Sequence, residues 1–301
     1  MNNDEKISII ITTYKRPVNI VKRAILSALN QTYTNTEIIV VNDYPEDKKL
    51  SDNIGKMISN LNQNKIIYII ENKNNGACYA RNLGIKKSHG KFIALLDDDD
   101  EWENSKLEKQ IRGFSYSDKV GMVYSPYINV DNVTGKREKV VLGKKSGNII
   151  DEILIKNCIG GCSMPLIKKE VFSTCGLFDE KFPALQDYDM WVRISQKYEV
   201  FFVDEPLTIR YLQDDSISNN FEKKQKGYEL FINKHLELYQ SKSKIYNHSL
   251  NRTVKAYFQR GKIKEGFDLY KVALKTKKIS IYNLYYPLVG LVKFFAKKIR
   301  K

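Results

Sequence analysis

Residues 92–102 read Phe-Ile-Ala-Leu-Leu-Asp-Asp-Asp-Asp-Glu-Trp, a hydrophobic run that ends in four consecutive aspartates. The apolar part predicts a buried strand, and ligands bind at the carboxyl ends of strands in open α/β sheets. Four neighbouring carboxylates repel one another unless a cation lies among them, and Mg²⁺ or Mn²⁺ prefers such oxygen ligands. The stretch therefore predicts a metal site that holds a phosphorylated substrate. The alternative is a solvated acidic loop.

Apolar runs and helical patterns alternate on the N-terminal side of this stretch. Strands are predicted at residues 6–13, 36–42, 65–70 and 91–96, and helices at residues 17–30, 46–62 and 75–87. This order predicts a mostly parallel sheet with right-handed crossovers, and the continuous apolar strands indicate a sheet that is covered on both faces.

The pattern becomes mixed after residue 102. Helices are predicted at residues 104–114, 149–156, 168–173 and 186–196, and strands at 120–130, 136–142, 199–203 and 207–212. Residues 131–135 have the composition of a hairpin turn between two of these strands. We expect this half to lie beside the parallel half and to complete a pocket.

The net charge of +15 lies in the C-terminal part of the chain. Residues 221–301 contain 20 Lys and Arg but 5 Asp and Glu, whereas residues 1–220 contain 30 of each. This shift predicts two domains, at residues 1–220 and 221–301. The second is predicted to be helical, with its first helix at residues 221–239. Because the first is neutral, no nucleic-acid partner is expected.

The last segment is amphipathic and basic. Its uncharged stretch, residues 279–292, is shorter than the ~20 residues that a membrane-spanning helix needs. Apolar residues recur at helical spacing and basic residues crowd the end, a pattern typical of a helix lying on an anionic membrane. The alternatives are an ordinary docking helix and the interface of a homo-oligomer.

Cysteines and the N-terminus favour a cytoplasmic protein. No Cys-x-x-Cys pair occurs among Cys78, Cys158, Cys162 and Cys175, so free thiols in a reducing compartment are expected. The first residues do not resemble a signal peptide. Together with the basic tail, this predicts a cytoplasmic protein peripheral to the inner face of the cell membrane.

The predicted strand ends bring together groups that suit a nucleotide. Thr12 and Tyr14 follow the first strand, Asp43 follows the second, and the aspartates at 97–100 follow the fourth. A ring can stack on a base, a carboxylate can accept a base N–H, and a metal on the aspartates can hold a diphosphate. Taken alone, an aspartate at the position of Asp43 is more often a helix cap or a loop residue.

Five motifs in order resemble one family. They are residues 12–17 (TTYKRP), 40–43 (VVND), 75–85 (NGACYARNLGI), 96–102 (LDDDDEW) and 186–193 (QDYDMWVR). Over roughly residues 6–215 the chain resembles the family-2 inverting glycosyltransferases of the GT-A fold, of the bacterial surface-polysaccharide type. The resemblance implies an α/β, Rossmann-like, mostly parallel sheet with a small mixed half, followed here by a C-terminal helical extension.

The resemblance also implies donor-site residues. Thr12, Tyr14 and Asp43 match positions that hold the uracil and ribose of a UDP-sugar, and Arg81 and Asn82 match the segment that lines the donor site.

The metal and the base follow from the same resemblance. Asp97 and Asp99 match the DxD pair, with Asp99 binding Mn²⁺ or Mg²⁺ directly, and Asp98 stays a candidate because four aspartates leave the register open by one. Asp187 matches the catalytic base. Its other interpretation is the N-cap of the helix that carries Trp191.

The acceptor side is less specific. Trp102 is interpreted as the floor of an acceptor site or as a core residue, and Gly161 and Cys162 as acceptor neighbours or as part of a tight turn. Gln186 stands where the family usually has Glu, which lowers the pKa of the neighbouring base by removing a like charge. Gln213 stands near the position at which many members of the family have a histidine.

The expected activity is a metal-dependent, inverting transfer of a sugar from a UDP-sugar to a hydroxyl of a glycan acceptor. A lipid-linked saccharide in surface-polysaccharide assembly is expected as acceptor, with a soluble acceptor as the alternative. Other hypotheses are a sugar nucleotidyltransferase, which the missing early Gly-rich basic loop disfavours, and a catalytically silent, membrane-peripheral protein that binds a nucleotide or glycan.

Overall fold

The computed structural model describes residues 5–61, 64–212, 221–276 and 281–299, and the chain divides into two compact units. The first unit comprises Met1–Ile149 and Cys158–Tyr228, and the second comprises Ile150–Asn157 and Glu229–Lys301. Gln213 lies outside the described residues.

Eleven strands lie in the described part of the first unit. They are β1 (Ile7–Thr13), β2 (Thr36–Asn42), β3 (Ile66–Ile70), β4 (Phe92–Asp97), β5 (Asp100–Trp102), β6 (Val120–Tyr124), β7 (Tyr127–Asp131), β8 (Arg137–Val140), β9 (Leu166–Lys168), β10 (Glu199–Phe202) and β11 (Thr208–Leu212).

Twelve α-helices are found in the same described ranges. They are α1 (Val18–Leu29), α2 (Lys48–Asn60), α3 (Ala77–Lys87), α4 (Lys106–Arg112), α5 (Ile150–Ile155), α6 (Glu170–Cys175), α7 (Gln186–Ser195), α8 (Phe221–Lys234), α9 (Leu236–Ser241), α10 (Ser243–Gln259), α11 (Ile263–Leu274) and α12 (Tyr282–Ile299).

A seven-stranded sheet forms the centre of the first unit, in the order β10-β6-β9-β4-β1-β2-β3. All neighbours are parallel except β9, which runs antiparallel to β4 and β6. Strands β1, β2 and β4 are apolar and buried on both faces, as the sequence predicts. Helix α3 packs closely on β1 because Gly84 has no side chain: a Cβ there would lie 2.4 Å from Ile10 Cγ2.

A smaller four-stranded sheet has the order β5-β11-β7-β8. Strands β7 and β8 pair antiparallel around the predicted turn, where the Asp131 carboxylate accepts the N–H groups of Val133 and Thr134. Strand β5 directly follows the acidic turn and therefore joins the two sheets through residues 97–100.

The structure corrects three predicted elements. The single strand predicted at 120–130 is two strands in different sheets, because Pro126 has no N–H to continue a ladder. Lys168 ends β9, since residues 166–168 pair with the main sheet, and the helix begins at Glu170. The helix predicted from Phe221 to residue 239 ends at Lys234, and α9 follows it.

The second unit is helical. Helix α10 is its centre and packs against α5, α11 and α12, with Leu250, Val254 and Phe258 buried. The Tyr239 hydroxyl donates to the Leu154 carbonyl at 2.7 Å and so ties the short segment 150–157 to this unit. Within the described ranges, no helix has the length and apolar character that crossing a membrane requires.

Candidate functional site

The acidic turn between β4 and β5 is paired with two arginines. Arg16 reaches Asp98 Oδ1 with Nε at 3.0 Å and Asp99 Oδ2 with Nη2 at 3.0 Å. Arg81 Nη2 lies 2.8 Å from Asp97 Oδ1. Three of the four consecutive carboxylates therefore have a guanidinium partner. Arg16 comes from the loop between β1 and α1, and Arg81 comes from α3.

These two arginines leave negative charge in excess at the turn. Burial raises the pKa of Asp98 to about 6 even though Arg16 lies beside it. The pKa of Asp99 is raised by burial and by the charge of Asp97. Burial, then Asp97 and Asp99, raise the pKa of Asp100 well above its ordinary value. The charge of Arg210 opposes the rise at Asp99 and at Asp100, and a bound divalent ion would favour the ionised carboxylates further.

Two aspartates of the turn remain open to a ligand. The side chains of Asp97 and Asp99 are 33% and 23% exposed, whereas Asp98 and Asp100 are buried. No group of three or more Asp, Glu, His or Cys side chains suited to a metal is found in the described part of the chain. Mg²⁺ and Mn²⁺ are commonly held by one or two carboxylates together with substrate phosphates and water. Asp97 and Asp99 fit such a shared ion rather than a cage of protein ligands.

Arg81 carries a second, unused donor. Its side chain is buried, and in the described residues its Nη1 has no hydrogen-bond partner. A buried N–H without an acceptor is costly, so such groups are rare and are commonly found where a ligand binds. Arg81 therefore offers one guanidinium nitrogen to Asp97 and keeps another for a ligand oxygen.

Asp187 lies in the first turn of α7. The helix begins directly after Leu185, whose φ of +65° is the left-handed conformation that a branched residue seldom adopts. Asp187 Oδ1 accepts the N–H of Tyr188 at 2.7 Å, and the cap position itself belongs to Leu185. The N-cap interpretation of Asp187 is therefore not the arrangement observed.

The pKa of Asp187 is raised to about 6. Burial is the main cause, the charge of Arg81 opposes it, and the charge of Asp97 adds to it. Asp187 thus lies within electrostatic reach of both the acidic turn and α3. A carboxylate with a pKa near neutrality is suited to accept a proton from a hydroxyl. Gln186 beside it is partly exposed and carries no charge.

An aromatic pair stands beside the end of β1. Tyr14 is exposed and meets Tyr44 edge-on at 5.2 Å between ring centroids. Lys15, with φ at +53°, holds its Nζ 4.9 Å from the Tyr44 centroid and 5.2 Å from that of Tyr14. Thr12 is partly exposed nearby along the strand. The exposed Tyr14 ring suits stacking on a base. The sequence did not predict the contacts of Lys15 and Tyr44 with this ring, although Tyr44 directly follows Asp43.

Asp43 and Asn82 are engaged with the backbone. Asp43 is buried, and its two carboxylate oxygens accept the N–H groups of Asn75 and Gly76, each at 2.8 Å. This bonding fixes the turn that opens α3, as its interpretation as a loop residue predicts. Asn82 donates to the Phe178 carbonyl and accepts the Phe178 N–H, each at 2.9 Å, so it pins the loop after α6 to α3.

Trp102 is a core residue. Its side chain is 2% exposed, Nε1 donates to the Ser163 carbonyl at 2.9 Å, and Lys106 Nζ lies 4.6 Å from the ring centroid. Because the ring is covered, Trp102 cannot be the floor of an acceptor site, and its other interpretation, as a core residue, is the one observed. Cys162 is also buried, with the pKa of its thiol raised by burial, and Gly161 is partly exposed.

Ser163 connects the segment 160–164 to the acidic turn. Its hydroxyl accepts the Asp97 N–H at 3.0 Å, while its carbonyl accepts from Trp102 and from Thr208 Oγ1. The next carbonyl, of Met164, accepts from the fully buried Lys106 Nζ at 3.1 Å. The sequence placed Ser163 in the motif with Gly161 and Cys162, but it could not predict these hydrogen bonds, because the partners of Ser163 are far away along the chain.

Comparison with known proteins identifies the family. The family model described as Glycosyl transferase family 2 matches residues 8–175, more than half of the chain. The chain belongs to glycosyl transferase family 2. The family predicted from the five motifs is thereby confirmed.

Curated relatives of this family-2 chain differ in length. An "Uncharacterized glycosyltransferase" of Rickettsia bellii is 34% identical over 230 residues, which cover 74% of this chain and 31% of the relative. The "Putative colanic acid biosynthesis glycosyl transferase WcaA" of Escherichia coli is 30% identical over 249 residues, which cover 82% of this chain and 87% of the relative. The chain spans about a third of the length of the first three curated relatives.

Solved structures of glycosyltransferases confirm the predicted GT-A fold class. S. aureus TarS (residues 1–349), in complex with UDP-GlcNAc, has a TM-score of 0.58 at 14% identity, covering 98% of this chain and 92% of TarS. The mannosyltransferase PcManGT from Pyrobaculum calidifontis, in complex with GDP-Man and Mn²⁺, has a TM-score of 0.61 at 12% identity, covering 98% of this chain and 88% of PcManGT.

Proposed function

We propose that this family-2 chain is an inverting glycosyltransferase that moves a sugar from a nucleotide-sugar to a hydroxyl of a glycan acceptor. The observation that carries the proposal is the position of the Asp187 carboxylate: burial raises its pKa to about 6, and it lies close enough to Arg81 and Asp97 for the first to oppose this rise and the second to add to it. A base and a candidate diphosphate site in electrostatic contact are what a single displacement needs.

The donor binds on the sheet edge in this proposal. Tyr14 stacks on the base, and Thr12 and the loop fixed by Asp43 border it. Arg81 donates Nη1 to a diphosphate oxygen. Asp97 and Asp99 are the residues that would hold Mn²⁺ or Mg²⁺. A divalent ion at this place supplies positive charge that stabilises the departing nucleoside diphosphate. A UDP-sugar is the proposed donor; TarS, with the same fold, was solved with UDP-GlcNAc, and PcManGT with GDP-Man and Mn²⁺.

The acceptor binds on the side of Asp187. With a pKa of about 6, this carboxylate is mostly ionised at pH 7 and accepts the proton of the attacking hydroxyl. The hydroxyl oxygen attacks the anomeric carbon from the face opposite the leaving diphosphate, so an α-linked donor gives a β-linked product. Gly161 and Gln186, both partly exposed, border this side in the proposal, and the buried Cys162 lies within electrostatic reach of Asp187.

A lipid-linked saccharide in surface-polysaccharide assembly is the proposed acceptor. The name of the E. coli relative refers to colanic acid biosynthesis, and residues 221–301 carry the excess of positive charge. In this proposal residues 1–220 are the catalytic domain, and residues 221–301 hold it at the cytoplasmic face of the membrane.

The test is release of nucleoside diphosphate from UDP-, GDP- and dTDP-sugars, with and without Mn²⁺ or Mg²⁺. The wild type, Asp187→Asn and Asp99→Asn are compared with Asp52→Asn, which changes an exposed aspartate on α2. Support requires metal-dependent turnover of one donor that both site variants lose and the control keeps. Loss in Asp187→Asn with nucleotide affinity unchanged assigns the base.

Four other outcomes contradict the proposal. Full activity of Asp187→Asn refutes the base. Nucleotide binding without turnover on any acceptor favours a binding protein, and pyrophosphate release from a nucleoside triphosphate and a sugar phosphate favours a nucleotidyltransferase. Absence of nucleotide binding overturns the donor site altogether.

A further inference from the structure

Helix α12 has an apolar side that stays exposed in the folded second unit. Six large apolar side chains at helical spacing, each more than half exposed, form what we name the outer stripe: Ile281, Leu284, Tyr285, Leu288, Val292 and Phe295. Within a soluble protein such a continuous patch is unusual and marks an interaction surface.

The opposite side of α12 is packed. Asn283, Pro287 and Gly290 are buried on it, and a Cβ at Gly290 would lie 2.9 Å from the Lys255 carbonyl oxygen of α10. The close approach of these two helices fixes the rotation of α12. The outer stripe therefore faces away from α10 as a consequence of packing.

Charge and composition indicate what covers the stripe. Lys293 and Lys297 are exposed at its C-terminal end, and residues 221–301 carry 20 basic and 5 acidic residues. A second copy of the chain would bring the same positive charge to the contact and be repelled. An anionic bilayer offers both an apolar interior and negative head groups. Tyr285 in the stripe suits the head-group level, where tyrosines concentrate.

We propose that α12 lies in the plane of an anionic bilayer, with the outer stripe at the boundary of head groups and acyl chains. From Ile281 to Phe295 the helix is about 21 Å long, at about 1.5 Å per residue, which suits lying on a bilayer whose core is about 30 Å thick. Lys293 and Lys297 then meet lipid phosphates. The inference rests on the proposed function in one respect: the bilayer that binds α12 would also contain the lipid-linked acceptor.

Vesicle flotation of the full chain tests the proposal. Vesicles of phosphatidylcholine alone are compared with vesicles containing about a third phosphatidylglycerol, at low and high salt. The wild type is expected to float with the anionic vesicles at low salt and to be released by salt. Leu284→Glu and Leu288→Glu should each lower binding at least tenfold. Lys293→Gln should lower it about fivefold, because a lysine near an anionic surface contributes about that factor.

Val133→Glu is the matched control. Val133 is 94% exposed in the hairpin turn of the first unit, and the change alters net charge by the same amount as Leu284→Glu. It should bind vesicles as the wild type does. Circular dichroism checks that each variant is folded, which the exposure of the substituted side chains predicts.

Three results would overturn the proposal: no vesicle binding, equal binding to neutral and anionic vesicles, or binding unaffected by Leu284→Glu. A wild-type dimer in lipid-free light scattering that Leu284→Glu converts to a monomer would instead assign the stripe to a second copy. Vesicle binding needs no sugar transfer, so failure of this inference and failure of the proposed enzyme activity are separate outcomes.

Discussion

Neutralising Asp98 should stabilise the protein at neutral pH. Asp98 is buried in the acidic turn, and its pKa of about 6 stands against an ordinary value of 3.8. The difference corresponds to about 3 kcal/mol by which folding disfavours the charged carboxylate. Asparagine removes the charge and keeps an oxygen that can accept from Arg16 Nε. Asp98→Asn should therefore raise the free energy of unfolding by up to about 3 kcal/mol at pH 8.

The gain depends on pH in a defined direction. Because the folded-state pKa is raised, the folded wild type binds a proton more tightly than the unfolded chain and becomes more stable as pH falls from 7 to 4. The variant lacks this dependence. Its advantage is complete above about pH 7, decreases through pH 6 and vanishes near pH 4.

Urea unfolding with EDTA present, followed by tryptophan fluorescence from pH 4 to 8, measures the effect. Both tryptophans, Trp102 and Trp191, lie in the first unit, so the signal reports the unit that holds Asp98. Asp52→Asn, at an exposed site, is the control and should change little. The reasoning is refuted if Asp98→Asn is destabilised at pH 8 or if its difference from the wild type does not shrink toward pH 4.

Three further predictions concern the neighbouring groups. The kcat/KM for donor turnover should fall about tenfold from pH 7 to pH 5, because Asp187 must be ionised and has a pKa of about 6. A pH profile that is flat over this range would contradict the role of Asp187 as the base. Gln186→Glu should move this acid limb to higher pH by adding a like charge beside Asp187, and a limb that stays in place would show that the two side chains do not interact. Ser163→Ala should lower the free energy of unfolding, measured in urea, by about 1–3 kcal/mol, because it removes the acceptor of the Asp97 N–H. Ser163→Thr retains a hydroxyl and should recover part of the lost free energy. Equal losses in the two variants would contradict the hydrogen-bond explanation.

The parallel half of the sheet was predictable because its strands are continuous apolar runs. Strands β1 and β4 begin and end within one residue of their predicted bounds. The strands of the mixed half were less predictable. Strand β9 has only three residues, too few for periodicity to appear, and its place in the sheet depends on pairing with β4 and β6, which are distant in sequence.

Some residues of the candidate site were also predictable from the sequence and others were not. The acidic turn was predicted from residue type and order, and Asp187 was predicted as the base from the resemblance to the family. The groups that position them were not, because Arg16 and Asp98 are 82 residues apart in the chain, and Ser163 and Asp97 are 66 apart. Trp102 shows the same limit: the residues that cover its ring, around Ser163 and Lys106, are brought there by the tertiary fold.

Among the described residues Nη1 of Arg81 has no hydrogen-bond partner, and this has a consequence for selectivity. A buried N–H without an acceptor costs about 1–3 kcal/mol, and a ligand that places an oxygen there recovers this free energy. Donor analogues without that oxygen should bind about 5- to 150-fold more weakly. The N–H is already oriented before any ligand arrives, and the negative charge on the diphosphate grows as it departs, so the interaction is stronger in the transition state than in the bound substrate. Discrimination between donors at this point should therefore be expressed in kcat/KM, with part of the loss in kcat.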